Sequence, residues 1–256
     1  MNAIYLSDPI ARRSLLEEIR CEFLRLARAP SFVVPTLLFP VMFYVLFGIV
    51  LAGGKATTFQ AAHYMLGTYC VFGVMAPSLF GFGVTVAMER DEGLLALKRA
   101  LPMPPANLVL AKLGMAMAFA AIIFALLATV GSTFGGVRLG LDQWLALATV
   151  CLCGVLPFCA IGLLLGALLS PQGAPAAINL LYLPMAFLSG LWVPVFLLPK
   201  PMMMTAPLWP AYHLAQLAEA AIGQPHAGGV LGHVLVLALY ALVAGHVAVR
   251  RLARVA

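Results

Sequence analysis

The sequence predicts an all-α integral membrane protein. Its expected parts are six transmembrane helices, an N-terminal amphipathic interface helix, a cytoplasmic coupling helix and an external re-entrant helical segment. Composition predicts the class. Of 256 residues, 63% are hydrophobic and 9% charged, and mean hydropathy is +1.03. A soluble domain carries roughly 25% charged residues to hydrate its surface, so lipid is the expected solvent. The spacing of charges predicts the spans, and the placement of Lys and Arg predicts their direction.

Stretches without Asp, Glu, Lys or Arg cover 29–54, 56–88, 113–137, 143–199 and 220–249. A span needs about 20 residues, so 143–199 is too long for one, and Ser170-Pro171-Gln172-Gly173-Ala174-Pro175 divides it. Spans are expected near 32–52, 64–87, 109–130, 143–169, 175–196 and 229–249, making 32–256 one transmembrane domain behind a 1–31 arm. On one side lie Arg12, Arg13, Arg20, Arg25, Arg28, Arg90, Lys98, Arg99, Lys112, Arg250, Arg251 and Arg254; Lys55, Arg138 and Lys200 lie on the other. This bias puts both termini and the 88–108 connection in the cytoplasm. It also accounts for the net charge of +6 without nucleic acid. The charged first thirty residues lack the pattern of a cleavable signal peptide.

Three segments do not read as spans. Residues 12–28 read as an amphipathic helix in the interface plane, either a membrane-surface anchor or a docking surface for a partner. Leu15, Leu16, Ile19, Phe23, Leu26 and Ala27 share its apolar face. Glu17, Glu18, Glu22, Arg25 and Arg28 share the polar one, and Ser14-Leu15-Leu16-Glu17 fits a capping box. The run Glu89-Arg90-Asp91-Glu92-Gly93-Leu94 through Leu101-Pro102 has acids first and bases last, which suits a helix dipole. Leu94, Leu97 and Leu101 give it an apolar stripe. A short cytoplasmic helix pressed against protein or lipid is expected there; a solvated loop is the competing reading. Residues 190–225 contain Pro194, Pro199, Pro201, Pro207 and Pro210 in an apolar run. Proline excludes a continuous helix, so an external re-entrant or surface-lying hairpin is expected.

Catalytic chemistry has no visible carrier. The nine carboxylates are Asp8, Glu17, Glu18, Glu22, Glu89, Asp91, Glu92, Asp142 and Glu219, and none falls at a predicted span centre. No paired-carboxylate, metal-binding His-Glu or nucleophile-elbow motif occurs. His63, His213, His226, His233 and His246 are scattered, and no metal site is expected from them. Cys70, Cys151, Cys153 and Cys159 lie in apolar runs and Cys21 in the charged arm, which is no disulfide framework. Cys151-Leu152-Cys153 with Met202-Met203-Met204 offers soft ligands, but in separate segments. The run Gly48–Ala56 has the wrong glycine spacing for a Walker A loop. Uphill transport would therefore draw its energy from another chain, meeting this one on the cytoplasmic side.

On these residues the sequence resembles the permeases of type-two ATP-binding-cassette (ABC) exporters, the drug and polysaccharide export family, over nearly its whole length. Three features carry the resemblance: the amphipathic helix before the first span; Met88-Glu89-Arg90-Asp91-Glu92-Gly93-Leu94 with Leu101-Pro102-Met103; and Leu188-Ser189-Gly190-Leu191-Trp192-Val193-Pro194 with Leu198-Pro199 and Pro207-Leu208-Trp209-Pro210-Ala211-Tyr212-His213. The family's basic residue after the last motif is not evident; Glu219 occupies its neighbourhood.

The resemblance implies a permease subunit in the bacterial inner membrane, no cofactor on this chain, and ATP with Mg on a cytoplasmic ABC ATPase partner. It also implies a second permease copy, with a homodimer expected, and alternating access between the two. Glu89, Asp91, Glu92, Gly93, Leu94, Leu97 and Leu101 are the expected ATPase-coupling residues. Leu15, Glu18, Ile19, Glu22 and Phe23 mark the interface helix, and Gly190, Pro194, Pro199, Pro207 and Pro210 the external segment. Tyr69, Phe72, Phe80, Phe82, Tyr182, Met185 and Phe187 are the candidate substrate lining, although helix packing competes for each ring. Such a lining suits a hydrophobic or amphiphilic, drug-like or lipid-linked cargo. The alternatives are an ion-coupled carrier or channel, disfavoured by the lack of intramembrane carboxylates, and an intramembrane lipid-modifying enzyme, disfavoured by the lack of a polar cluster.

Overall fold

A computed structural model describes residues 9–51, 57–100, 104 and 106–255. Every regular element among them is helical. Helix α1 spans Pro9–Ala27, α2 Pro30–Phe43, α3 Thr57–Asp91, α4 Leu94–Ala100, α5 Ala106–Thr133 and α6 Leu141–Leu168. Then come α7 at Ala174–Leu188, α8 at Lys200–Thr205, α9 at Pro210–Ala221 and α10 at Val230–Val255. Five helical segments among the described residues are long and apolar enough to cross a membrane: Pro30–Val50, Ala61–Asp91, Ala106–Thr133, Leu141–Leu168 and Val230–Leu252.

The segment expected at 175–196 is shorter. Helix α7 has 15 residues and ends in a Schellman cap, with Leu191 N–H donating to Ala186 O at 3.1 Å and Gly190 N–H to Phe187 O at 3.1 Å. Gly190 takes φ +79° there, and a Cβ on it would lie 2.2 Å from Val195 Cγ2. Backbone conformation and space both demand glycine.

Helix α2 carries Pro35 and Pro40 in its interior. It runs into a seven-residue π-helical stretch, Tyr44–Val50, where Leu51 N–H reaches back to Leu46 O at 2.8 Å. Proline cannot donate an i→i−4 bond, and the wider turn is one way the helix absorbs that.

Helix α3 is the centre of the bundle: Leu66, Tyr69, Phe72, Met75, Leu79 and Phe82 are almost wholly buried. It reads apolar on all sides because neighbours cover all sides. Its closest neighbour is α6, through Gly162 and Gly166. A Cβ on Gly162 would sit 2.7 Å from Ser78 O, and one on Gly166 2.6 Å from Gly83 O. This is a small-xxx-small contact, in which the missing side chains let two backbones touch. Outer faces stay apolar and uncovered, as Leu231, Leu235 and Leu242 on α10 do. That suits a lipid-facing surface.

Candidate functional site

The N-terminal helix differs from its expected shape in two ways. It begins at Pro9 rather than at Ser14, and Ser14 inside it accepts from Asn107 Nδ2 of α5 at 3.1 Å. Its inward stripe also includes an acid. Ile19, Glu22, Phe23 and Leu26 follow an i, i+3, i+4, i+7 spacing and share one face. Ile19 fills the space over Gly114 of α5, and the Phe23 ring lies tilted against Phe119 with centroids 5.0 Å apart. Glu22, expected on the polar face, is 3% exposed, whereas Leu16, expected on the apolar face, is 65% exposed.

Glu22 can be buried because cations from two other helices, α4 and α5, meet it. Lys112, six residues into α5, donates to Glu22 Oε1 at 3.0 Å, to Glu89 Oε1 at 2.9 Å and to Thr85 Oγ1 at 3.1 Å. Its three ammonium protons thus have three acceptors. Lys98 of α4 donates to Glu18 at 2.7 Å and Glu22 at 3.0 Å, with Glu89 at 3.5 Å. Arg25 reaches Glu89 Oε1 at 2.7 Å. Three acids and three bases make a cluster of no net charge. Burial pushes the Glu22 carboxyl up, but Lys112 and then Lys98 draw it down to about 2. Burial likewise opposes the charge on Lys98, yet Glu18, Glu89 and Glu22 hold its ammonium above the ordinary lysine range. Buried pairs of this kind hold only while every partner stays in place.

The cluster joins α1, the end of α3, the short α4 and the start of α5. One residue along, Arg90 clasps the end of α6, donating to the carbonyls of Gly166, Ala167 and Leu169. A cation at that terminus satisfies free carbonyls and suits the helix dipole. Gly93 turns the chain from α3 into α4 at φ +71° and has open space around it.

The expected coupling residues therefore divide. Glu89 points inward to the cluster and is 1% exposed. Asp91, Glu92 and Gly93 are exposed and Leu94 is half-buried. Leu97 is 62% exposed, so the described residues leave most of its side chain uncovered. Leu101 lies outside the described residues. Sequence reasoning counted Lys112 as a topology marker and Lys98 as a topology marker and a base matched to the helix dipole, and missed their pairing with Glu22 and Glu89. The available signal was a lone lysine one and a half turns inside an otherwise uncharged helix.

At the other end of α3, the segment after α7 folds back. Pro194 and Pro199 precede the short helical turns Val195–Leu197 and Lys200–Thr205. Pro207 lies in the turn Ala206–Leu208, and Pro210 opens α9 at its first position. There a missing N–H costs nothing. Helix α9 is buried along most of its length, with Leu214 filling the space over Gly154 of α6 and Glu219 lying beside Gly67 of α3.

Between α2, α3 and α7 lies a cavity of about 430 Å³, lined by Phe32, Phe39, Phe43, Phe72, Phe80, Tyr182 and Trp192 with Ser31, Thr36 and Asn179 among them. Phe72 and Tyr182 stack at 5.2 Å, and Phe80 meets Tyr182 edge-on at 5.6 Å. Of the candidate lining residues, Phe72, Phe80 and Tyr182 are in this wall. Tyr69, Phe82 and Met185 are buried in the helix packing, and Phe187 is half-buried, its ring 6.4 Å from Trp192. The α2 phenylalanines and Trp192 are lining residues the sequence reading did not name. No group of three His, Cys, Asp or Glu side chains suited to a metal occurs among the described residues.

The charge cluster at one end of α3 and the aromatic cavity between α2, α3 and α7 are the two features that comparison with known proteins can place. The model of the ABC-2 type transporter family matches residues 16–221. The chain is 28% identical over 233 residues to "Putative transport permease YvfS" of Bacillus subtilis (strain 168), covering 88% of this chain and 93% of that protein. The match takes in the inward face of α1, the 89–100 segment, the cavity and α9 together, and by it this multi-pass membrane protein belongs to the ABC-2 type transporter family.

Proposed function

We propose that the chain is the permease subunit of an ATP-driven exporter, energised by a separate cytoplasmic ABC ATPase that carries the ATP and Mg. The observation that carries this reading is the pairing of Lys98 on α4 with Glu18 and Glu22 on α1 and Glu89 on α3. Movement of α4 cannot be local when its lysine is ion-paired to both neighbours. With Leu97 exposed, α4 has one face locked to the bundle and one free to meet a partner. A push on that face reaches α1, α3 and, through Lys112, α5.

In this reading α1 lies along the cytoplasmic membrane surface, both termini are cytoplasmic, and α7 with the residues after it completes a sixth crossing of the bacterial inner membrane. At about 1.5 Å per residue, 15 residues fall short of the roughly 30 Å hydrocarbon core, so the folded-back segment has to supply the rest. A second copy of the chain, packed against the uncovered faces of α2 and α7, would turn the aromatic cavity into part of a shared pathway. Its rings and sparse polar groups favour a hydrophobic or amphiphilic cargo.

The test is reconstitution of the full chain with its ATPase in proteoliposomes. The expected result is ATP hydrolysis that depends on the permease, is stimulated by amphiphilic cations or lipid-linked compounds, and drives their movement. Hydrolysis indifferent to the permease would sink the proposal.

A further inference from the structure

Helix α9 and the start of α10 meet through two histidines that are far apart in sequence and both largely buried, His213 at 8% and His233 at 7% exposure. Their Nδ1 atoms are 2.8 Å apart. The other nitrogen of each ring faces a backbone carbonyl: His213 Nε2 lies 2.9 Å from Pro207 O, and His233 Nε2 lies 2.5 Å from Ala227 O.

Proton counting decides what this chain of contacts is. A carbonyl oxygen only accepts, so each Nε2 must carry a hydrogen. A neutral imidazole has one N–H, and using it at Nε2 leaves Nδ1 with a bare lone pair. Two neutral rings would then set two lone pairs 2.8 Å apart, with nothing between them. Moving one hydrogen to Nδ1 only shifts the clash to a carbonyl. Three contacts in series need three protons, and two neutral imidazoles bring two. A metal does not fit the gap, since two Zn–N bonds of about 2.0–2.1 Å at a tetrahedral angle hold the nitrogens roughly 3.3 Å apart.

We propose that His213 and His233 form a proton-binding site at the α9–α10 joint, holding one proton beyond those of two neutral imidazoles. The third proton sits between the Nδ1 atoms and makes the pair singly cationic. Removing it leaves an acceptor facing an acceptor; adding a fourth sets two N–H groups against each other. The joint is closed at three protons and loosened at two or four, so the pair titrates in two macroscopic steps that belong to both rings.

The surroundings fit a site that senses the aqueous phase. The Tyr212 ring meets His213 at 5.5 Å and His233 at 6.2 Å, Tyr240 of α10 donates to Leu208 O at 2.6 Å, one residue beyond the carbonyl that receives His213, and His226 lies in the connection before α10. Glu219, further along α9, faces Gly67 of α3. Tyr212, Ala227 and His226 line a cavity of about 780 Å³ with Tyr64, Phe196 and Gln216. Gln216 accepts from Ala227 N–H at 2.6 Å, so the carbonyl that receives His233 belongs to a residue already fixed in the cavity wall. Proton occupancy of the pair thereby sets the position of that wall, beside the helix that packs on α3 and α6.

The experiment is nitrogen-15 NMR of the full chain, labelled at histidine, in lipid nanodiscs between about pH 5 and pH 9, the range in which imidazoles titrate. The expected spectrum at intermediate pH has both Nε2 atoms protonated and one proton shared by two coupled Nδ1 atoms, released as a single proton per chain on raising the pH. His233→Gln should abolish the coupling and return His213 to one independent titration. His226→Gln should leave the pair's signals in place. If a variant fails to fold, the wild-type proton count decides alone. Two rings neutral across the whole range, or two rings titrating independently in the wild type, would overturn the proposal.

Discussion

Lys112 donates to Glu89 at 2.9 Å with each residue at most 2% exposed, which fixes the start of α5 to the end of α3 through a buried ion pair. Removing Lys112 leaves three acids facing only Lys98 and Arg25 in the cluster, and breaking a buried ion-pair network in this way costs about 3–5 kcal/mol. Lys112→Met should lower stability in a detergent-denaturation titration by that order. The triple change Lys112→Met, Glu22→Gln, Glu89→Gln should lose less than the single one. If Lys112→Met is as stable as the wild type, the cluster does not hold the joint together.

The same cluster predicts an acid limit. The Glu22 carboxyl is drawn from 4.5 to about 2. A carboxyl depressed by folding contributes stability that is complete above its unfolded value and is lost as pH falls toward the folded one. Stability should therefore drop between about pH 4.5 and pH 2, and Glu22→Gln should flatten that part of the profile. An unchanged slope in the Gln variant would contradict the assignment.

Leu97 separates folding from partnership. At 62% exposure it can accept a charge without disturbing the bundle. Leu97→Asp should keep insertion and thermal stability but weaken ATPase association by about 2 kcal/mol, roughly thirtyfold, because a charge is placed in a desolvated contact. Pull-down of the ATPase by the variant at wild-type efficiency would mean that α4 is not the contact.

The helical class was legible because charge-free stretches about 20 residues long have few other solutions. Gly190 and the prolines after it marked the end of α7, yet the fifth stretch was still extended to 196, since hydropathy does not register a Schellman cap. The charge cluster was hidden for a different reason. Lys98 and Lys112 obey the same charge bias whether solvated or paired, and nothing along the chain brings Glu22 to within hydrogen-bonding distance of a residue 90 positions away. His213 and His233 were likewise unreadable as a pair, because a contact between helices set by Gly and Pro turns has no periodicity to announce it. Local signals reported elements; the long-range polar contacts came only with packing.

Close approach of α3 and α6 gives a packing test. A Cβ on Gly166 would meet Gly83 O at 2.6 Å and Val86 Cβ at 2.9 Å, so Gly166→Val must push two backbones apart, at about 1–3 kcal/mol. Gly232 on α10 has nothing within 4 Å of the same position, and Gly232→Ala should be neutral or slightly stabilising. The contrast can be read from thermal midpoints in one detergent. Equal effects at the two sites would mean that α3 and α6 do not pack at this distance.

Glu219 supplies the last test. It is fully buried, and neither carboxyl oxygen has a hydrogen-bond partner among the described residues. Gly67 of α3 leaves it room, a Cβ there falling 3.1 Å from Glu219 Oε1. Burial pushes its carboxyl well above the ordinary glutamate range, because the charged form loses its hydration with no cation among the described residues in return. An acid raised by folding binds its proton more tightly in the native state, so its contribution is full at low pH and is lost as pH rises through the folded value. Glu219→Gln keeps the shape and removes the titration. The variant should match the wild type in acid and exceed it at alkaline pH, where the wild type must ionise a buried group or open α9. Thermal midpoints of both proteins from about pH 5 to pH 9 would show the two curves diverging upward in pH. Parallel curves would mean that Glu219 is ionised and paired in the native protein, and that α9 does not seal it from water.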